Sequence, residues 1–374
     1  MSFITSRDQH VFIASGDMLR FFRLGEEQKP KEFFNWSKLS PERIQKPVEG
    51  ISEPPLKEVE KRVILCIAHS HISTRRLLLA VGTNEKQIHV IEYFLDEHGV
   101  FLGSEHVITA VVPKAPTALV FDRNDENVVL GDRAGDLLRF AVRDGIVSPL
   151  GGAITMVLDV DFTPDGRHLL MADRDEKVRV MRFPETYVLD CFLLGNTEYV
   201  KSVTSQDNDK VWTAGGDMIV RQWSLKEPAE PIRKIDLTEY KKPIRKLLFF
   251  KELNKLAVLL ENSDRFFIFH LEQSDGQKTT VQLMNEPEFL DVTVCGNFFV
   301  SLGRNSCMLL DATNFGQTYV PLAGELVASL KENNDAVENL FKNVTHNNQA
   351  EYEKRKAEKF DQIEQQKKRR LNDS

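Results

Sequence analysis

Apolar and polar residues alternate along most of this chain in short paired runs. Seven times, an apolar run ends in a small or polar turn and a second, alternating run follows. The copies are VFIASGDMLRFFRL from Val11, LLLAVGTNEKQIHVIEYF from Leu77, VVLGDRAGDLLRFAV from Val128, HLLMADRDEKVRVMRF from His168, KVWTAGGDMIVRQWSL from Lys210, KLAVLLENSDRFFIFHL from Lys255 and FFVSLGRNSCMLLDA from Phe298. Alternation with a period of two predicts half-buried strands, and the residues between the runs predict hairpin turns. Asp17, Asp136, Asp175 and Asp217 fall in these turns, where a short carboxylate bonds its own turn backbone. Pro164-Asp165-Gly166 predicts a further turn, between two outer runs of one repeat, LDVDF and HLLMA.

From Val128 onward the copies recur about every 40–45 residues, the period of a WD-repeat propeller. A four-stranded blade has faces that it cannot bury alone, so neighbouring blades cover them and ring closure removes the open ends. The expected fold is therefore all-β: a seven-bladed WD40-type β-propeller over residues 1–323, followed by a C-terminal helical, charged tail over 324–374. The repeats are degenerate. The fifth copy alone carries the expected tryptophan, Trp223, with Ser224 where aspartate is usual, and the opening Gly-His dipeptide appears only as Gly195-Asn196.

Two segments fall outside the period. Residues 25–62 hold Pro30, Pro41, Pro47, Pro54 and Pro55 among balanced charges, and they read as a mobile loop inserted between the first two blades. From about Gly324 the period turns helical: Val337, Leu340, Phe341 and Val344 form one apolar stripe. That stripe packs either on the propeller itself or on a partner. The tail ends in Lys367, Lys368, Arg369 and Arg370. This cluster is a solvated charge run, a nuclear-import signal or an RNA-backbone contact, and sequence does not separate the three.

Composition narrows the function. With 374 residues, 41% hydrophobic and 28% charged, wholesale disorder is excluded. No apolar run exceeds about seven residues where a membrane span needs about 20, so no membrane partner is expected. The N-terminal MSFITSRDQH lacks an apolar leader core, and an intracellular protein is expected. A net charge of −7 argues against clamping nucleic acid over the whole surface. The four cysteines show no CxxC pairing and read as free thiols in a reducing compartment. GxSxG, GxxxxGK[ST] and HExxH are all missing, as is the Gly-rich strand-to-helix loop of a Rossmann-type cofactor site. His69-x-His71 places two imidazoles on one side of a strand, with no carboxylate or cysteine at ligand spacing. Neither catalysis nor a bound metal or cofactor is expected.

The charge is densest in MADRDEKVRVMRF, residues 171–183, where Asp173, Arg174, Asp175, Glu176, Lys177, Arg179 and Arg182 surround one blade turn. In one reading Asp175 orders the turn and the others are hydrated, since exposed ion pairs contribute about 0–1 kcal/mol. In the other, the run is a docking surface, because charge pairs desolvated at an interface couple by about 1.5–7 kcal/mol and fix register.

At these residues the chain resembles a known family. ADRDEKVRV (172–180), followed by LGNTEYV (194–200), is similar to the WD-repeat, non-catalytic subunit of tRNA (guanine-N7) methyltransferase. GDRAGDL (131–137) and the ending Leu340-Phe341-Lys342-Asn343-Val344-Thr345 before KKRR resemble the same family, and Asn196 stands where that family has histidine. The resemblance implies a heterodimer. A separate Rossmann-type chain would hold S-adenosylmethionine and methylate guanine N7 in the tRNA variable loop. This chain would dock on it through Asp173, Arg174, Asp175, Glu176, Lys177 and Arg179, meeting tRNA through the complex, in the nucleus and also the cytoplasm. The alternative is a general WD-repeat adaptor in a ubiquitin-ligase or ribosome-assembly complex.

Overall fold

The structure is a computed structural model that describes residues 2–25, 30–36, 39, 44–45, 62–71, 76–271, 278–282, 288–322, 324–332 and 340. Its strands form seven sheets, each built on an antiparallel meander of four consecutive strands, arranged as the blades of a propeller. The seven hairpins read from the sequence are the second and third strands of the seven blades. Blade 3 runs from Pro116 to Gly152, blade 4 from Val157 to Leu194 and blade 5 from Val200 to Asp236.

Period-two alternation assigns each strand face to a different neighbour. In blade 1, Val11 and Ile13 enter a core shared with blade 7, whereas Phe12 and Ala14 enter a core shared with blade 2. Apolar clusters of this kind lie at all seven junctions between consecutive blades. Strands buried on both faces explain why so many central runs are continuously apolar. The first strand of each blade packs against the first strands of its neighbours and is innermost. LDVDF is therefore an inner strand and not an outer one, and the turn at Pro164–Gly166 joins it to the second strand of blade 4.

Among the described residues, no strand is exchanged at the closure. Blade 1 uses its own N-terminal strand (Ser2–Arg7), which meets the first strand of blade 7 (Phe289–Cys295). There Ile4 N–H donates to Asp291 Oδ2 at 2.9 Å, and Ser6 Oγ donates to the Val294 carbonyl. Lys246 Nζ of blade 6 bonds the other Asp291 oxygen at 2.7 Å, so one carboxylate joins three blades.

The segment expected as an inserted loop belongs partly to the blades. Lys31–Glu32 is the outer strand of blade 1, and Ile44–Gln45 adds a parallel fifth strand to blade 2. Phe33 and Phe34 are buried between those blades. Prolines around these short elements hid them, because alternation needs several residues to be visible.

The helix Gly324–Glu332 buries Leu326 and Leu330 in the junction of blades 7 and 1. Its Ser329 hydroxyl bonds that of Ser15 at 3.0 Å, and Arg304 Nη1 donates to the Leu330 carbonyl at 2.7 Å. The boundary expected at residue 324 therefore moves: the propeller unit runs from Met1 to Ala336, and a second unit begins at Val337. Apart from Leu340, the stripe Val337, Phe341 and Val344 lies outside the described residues, as do Lys367, Lys368, Arg369 and Arg370.

Candidate docking surface on blade 4

The charged run occupies the hairpin between the second strand (His168–Asp173) and third strand (Lys177–Arg182) of blade 4. Asp173 and Arg179 are bonded to each other across it. Asp173 is 1% exposed, and its Oδ1 accepts from the N–H groups of Asp175 (2.8 Å) and Lys177 (3.2 Å). Its Oδ2 accepts from Arg179 Nη1 at 2.6 Å. Asp173 therefore orders the turn, a role that sequence reading gave to Asp175. In blade 3 the same shift holds: Asp132, and not Asp136, accepts from the N–H groups of Ala134, Gly135 and Asp136. Burial raises the pKa of the Asp132 carboxyl, and its Oδ2 has no partner where Asp173 has Arg179. The register explains the difference, since Leu138 occupies in blade 3 the place of Arg179 in blade 4.

Glu176 has φ +70, in the left-handed region. The same turn position holds Lys86, Gly135 and Met218 in other blades, all with positive φ. The conformation thus belongs to the turn itself. Arg174, Asp175, Glu176 and Lys177 are half-buried on this frame, and Arg179 lies behind them with its guanidinium over the Phe192 ring at 5.6 Å. Of the six residues expected at the docking site, four line the turn's surface, while Asp173 and Arg179 hold it from within.

Blade 5 repeats the arrangement with other partners. Arg221 takes the register position of Arg179 and bonds Asp217 Oδ2 at 2.7 Å and Asn196 Oδ1 at 3.0 Å. Thr197 N–H also donates to Asp217 Oδ2 at 3.1 Å, so the loop entering blade 5 is pinned to its turn. Asn196 supplies the acceptor at the position where the resembling family has histidine. Trp223 donates to Thr213 Oγ1 at 2.9 Å and is fully buried.

The family model of the tRNA methyltransferase TRM82 WD40 domain matches residues 145–307, which include the turn. A tRNA (guanine-N(7)-)-methyltransferase non-catalytic subunit of Caenorhabditis elegans is 53% identical over 375 residues, covering 100% of this chain and 96% of that relative. The chain belongs to this family of non-catalytic subunits. The family's WDR4 of Homo sapiens is 30% identical over 183 residues, covering 43% of this chain and 42% of that protein. TRM82 of Kluyveromyces lactis is 23% identical over 278 residues, covering 65% and 60%. A chain in the crystal structure of the mitotic checkpoint complex superposes with a TM-score of 0.60 at 13% identity, covering 85% of this chain and 86% of that one. At that identity the likeness shows the propeller fold alone.

Burial pushes the Cys191 thiol up to about 11 and Cys295 up to about 12, so neither is a thiolate nucleophile at neutral pH. His71 does meet a carboxylate: its Nδ1 lies 2.9 Å from Asp125 Oδ1, brought from blade 3. That pair ties two blades together, and His69 Nδ1 bonds the Ser70 carbonyl instead. Among the described residues, no group of three or more metal-ligating side chains converges.

Proposed function

We propose that this non-catalytic subunit docks on a separate, S-adenosylmethionine-dependent catalytic chain through the blade 4 turn, forming a one-to-one heterodimer. The observation that carries the reading is the turn's construction. Four successive charged residues, Arg174 to Lys177, stand on a backbone already fixed by Asp173 and Arg179. A pre-ordered turn loses little conformational freedom on binding, so its charges serve specificity without an ordering cost. The names of the relatives supply the reaction: methylation of guanine N7 in tRNA. The propeller contributes by holding the catalytic chain in its active conformation, and tRNA is met through the complex.

We also propose that Lys367, Lys368, Arg369 and Arg370 serve nuclear import or touch the RNA backbone, a reading supported by their sequence alone. Affinity purification of the tagged protein from its own cells tests the main reading. One Rossmann-type methyltransferase in equal amount is the expected result. A different stoichiometric partner would favour a general adaptor.

A further inference from the structure

Ten large apolar residues are exposed among the described residues, and five of them, Ile154, Tyr187, Leu189, Phe192 and Leu194, lie on blade 4 or the loop leading into it. The outer strand of this blade, Leu189–Leu194, reads LDCFLL. Outer strands elsewhere are more polar: RKID in blade 5, KTTVQ in blade 6 and QTYVP in blade 7. Leu193 turns into the core shared with blade 5, so the alternation sends Phe192 and Leu194 together to the opposite face.

This apolar face is continuous with the charged turn. Leu194 pairs with Lys177 in the sheet register, and Phe192 pairs with Arg179. On the other side, Arg174 N–H donates to the Met156 carbonyl at 3.1 Å and anchors the loop that carries Ile154, which is 95% exposed. Arg174 and Lys177 are balanced by Asp175 and Glu176, so the turn carries no net charge and its pattern serves register and specificity. Clustered exposed apolar area is the usual source of affinity beside such a pattern.

We propose that Ile154, Phe192 and Leu194 form the affinity-bearing part of the docking surface. Their occupant is an amphipathic segment of the catalytic subunit that crosses the turn, with apolar side chains on these residues to either side and charged ones on the turn between them. The inference rests on the docking reading above and adds where the binding energy resides.

Titration of the full-length chain against the purified catalytic subunit tests it, using Ile154→Asp, Leu194→Asp and the pair Arg174→Glu/Lys177→Glu. Ile232→Asp, at an exposed apolar residue between the third and fourth strands of blade 5, is the control. Ile154→Asp and Leu194→Asp should each raise Kd roughly tenfold or more, and Ile232→Asp should leave it unchanged. All five positions are surface-exposed or half-buried, so thermal unfolding of the free chains should match that of the wild type. Wild-type affinity for Ile154→Asp and Leu194→Asp, with binding lost in the charge-reversed pair, would overturn the apolar assignment and leave the docking reading standing. Wild-type affinity in every variant would overturn both. A self-associating wild type that Leu194→Asp renders monomeric, with affinity for the catalytic subunit intact, would assign the face to a second copy of this chain and overturn the proposal.

Discussion

Arg179 donates to Asp173 across the blade 4 hairpin at 2.6 Å, binding the first and last of the six expected docking residues to each other. The run therefore has an inside and an outside. Asp173 and Arg179 build the turn, and Arg174 to Lys177 face what lies beyond it. Substitutions on the two sides should fail in different ways.

Asp173→Ala removes a buried carboxylate that holds two backbone N–H groups and one guanidinium. Its loss should destabilise the free protein by about 2–3 kcal/mol. Arg174→Glu should change stability by less than about 0.5 kcal/mol. Urea unfolding of both variants checks the contrast.

The left-handed turn position separates blades 3 and 4. At Gly135, φ is +104 and an added Cβ would lie 2.4 Å from the Ala153 carbonyl oxygen. Gly135→Ala should therefore cost more than about 2 kcal/mol, since it adds a clash to an unfavourable φ. Glu176→Ala, at the equivalent place, should be nearly neutral because a Cβ is already accommodated there. Thermal melts of the two variants make the comparison.

Asn196→Ala takes away one acceptor of the buried Arg221 while Asp217 remains. A loss of about 1–2 kcal/mol is expected. If unfolding shows no change, the Asn196 bond does not hold Arg221 in place.

The inner strands give a pH signature. Asp159 accepts from Val203 N–H at 2.9 Å, and burial raises its carboxyl from 3.8 to about 6, with Asp161 also pushed up beside it. The folded chain then holds this proton more tightly than the unfolded chain does. Its contribution to stability is fully present below about pH 4 and is lost as pH rises through about 6. Asp159→Asn mimics the protonated form and still accepts from Val203. Its stability relative to the wild type should rise between about pH 4 and 6 and then level off, as read from urea midpoints across that range. A difference independent of pH would contradict the assignment.

The seven central hairpins were legible because strands buried on both faces leave long apolar runs that end in compact turns. Which aspartate orders each turn was not. Asp173 and Asp175 are two residues apart in one charged run, and only the hairpin register shows that the carboxylate at the strand end faces the turn's N–H groups. Arg174 and Arg179 were equally alike until Arg179 was found opposite Phe192 and bonded to Asp173. Nothing in the run LDCFLL itself marks it as the outermost strand of its blade. Its exposure at Phe192 and Leu194 acquires meaning once that strand is known to be outermost. The short strands Lys31–Glu32 and Ile44–Gln45 carry too few residues for alternation to mark them.

The central claim is that blade 4 docks on the catalytic subunit through the outside of the charged turn. Its most direct test is the co-purification yield of the catalytic subunit with wild-type chain and with the double reversal Arg174→Glu/Lys177→Glu. The account predicts a one-to-one complex with the wild type. The double variant should bind at least roughly tenfold more weakly, with unchanged unfolding of the free subunit. Equal yield of an equally active complex from the double variant would contradict it.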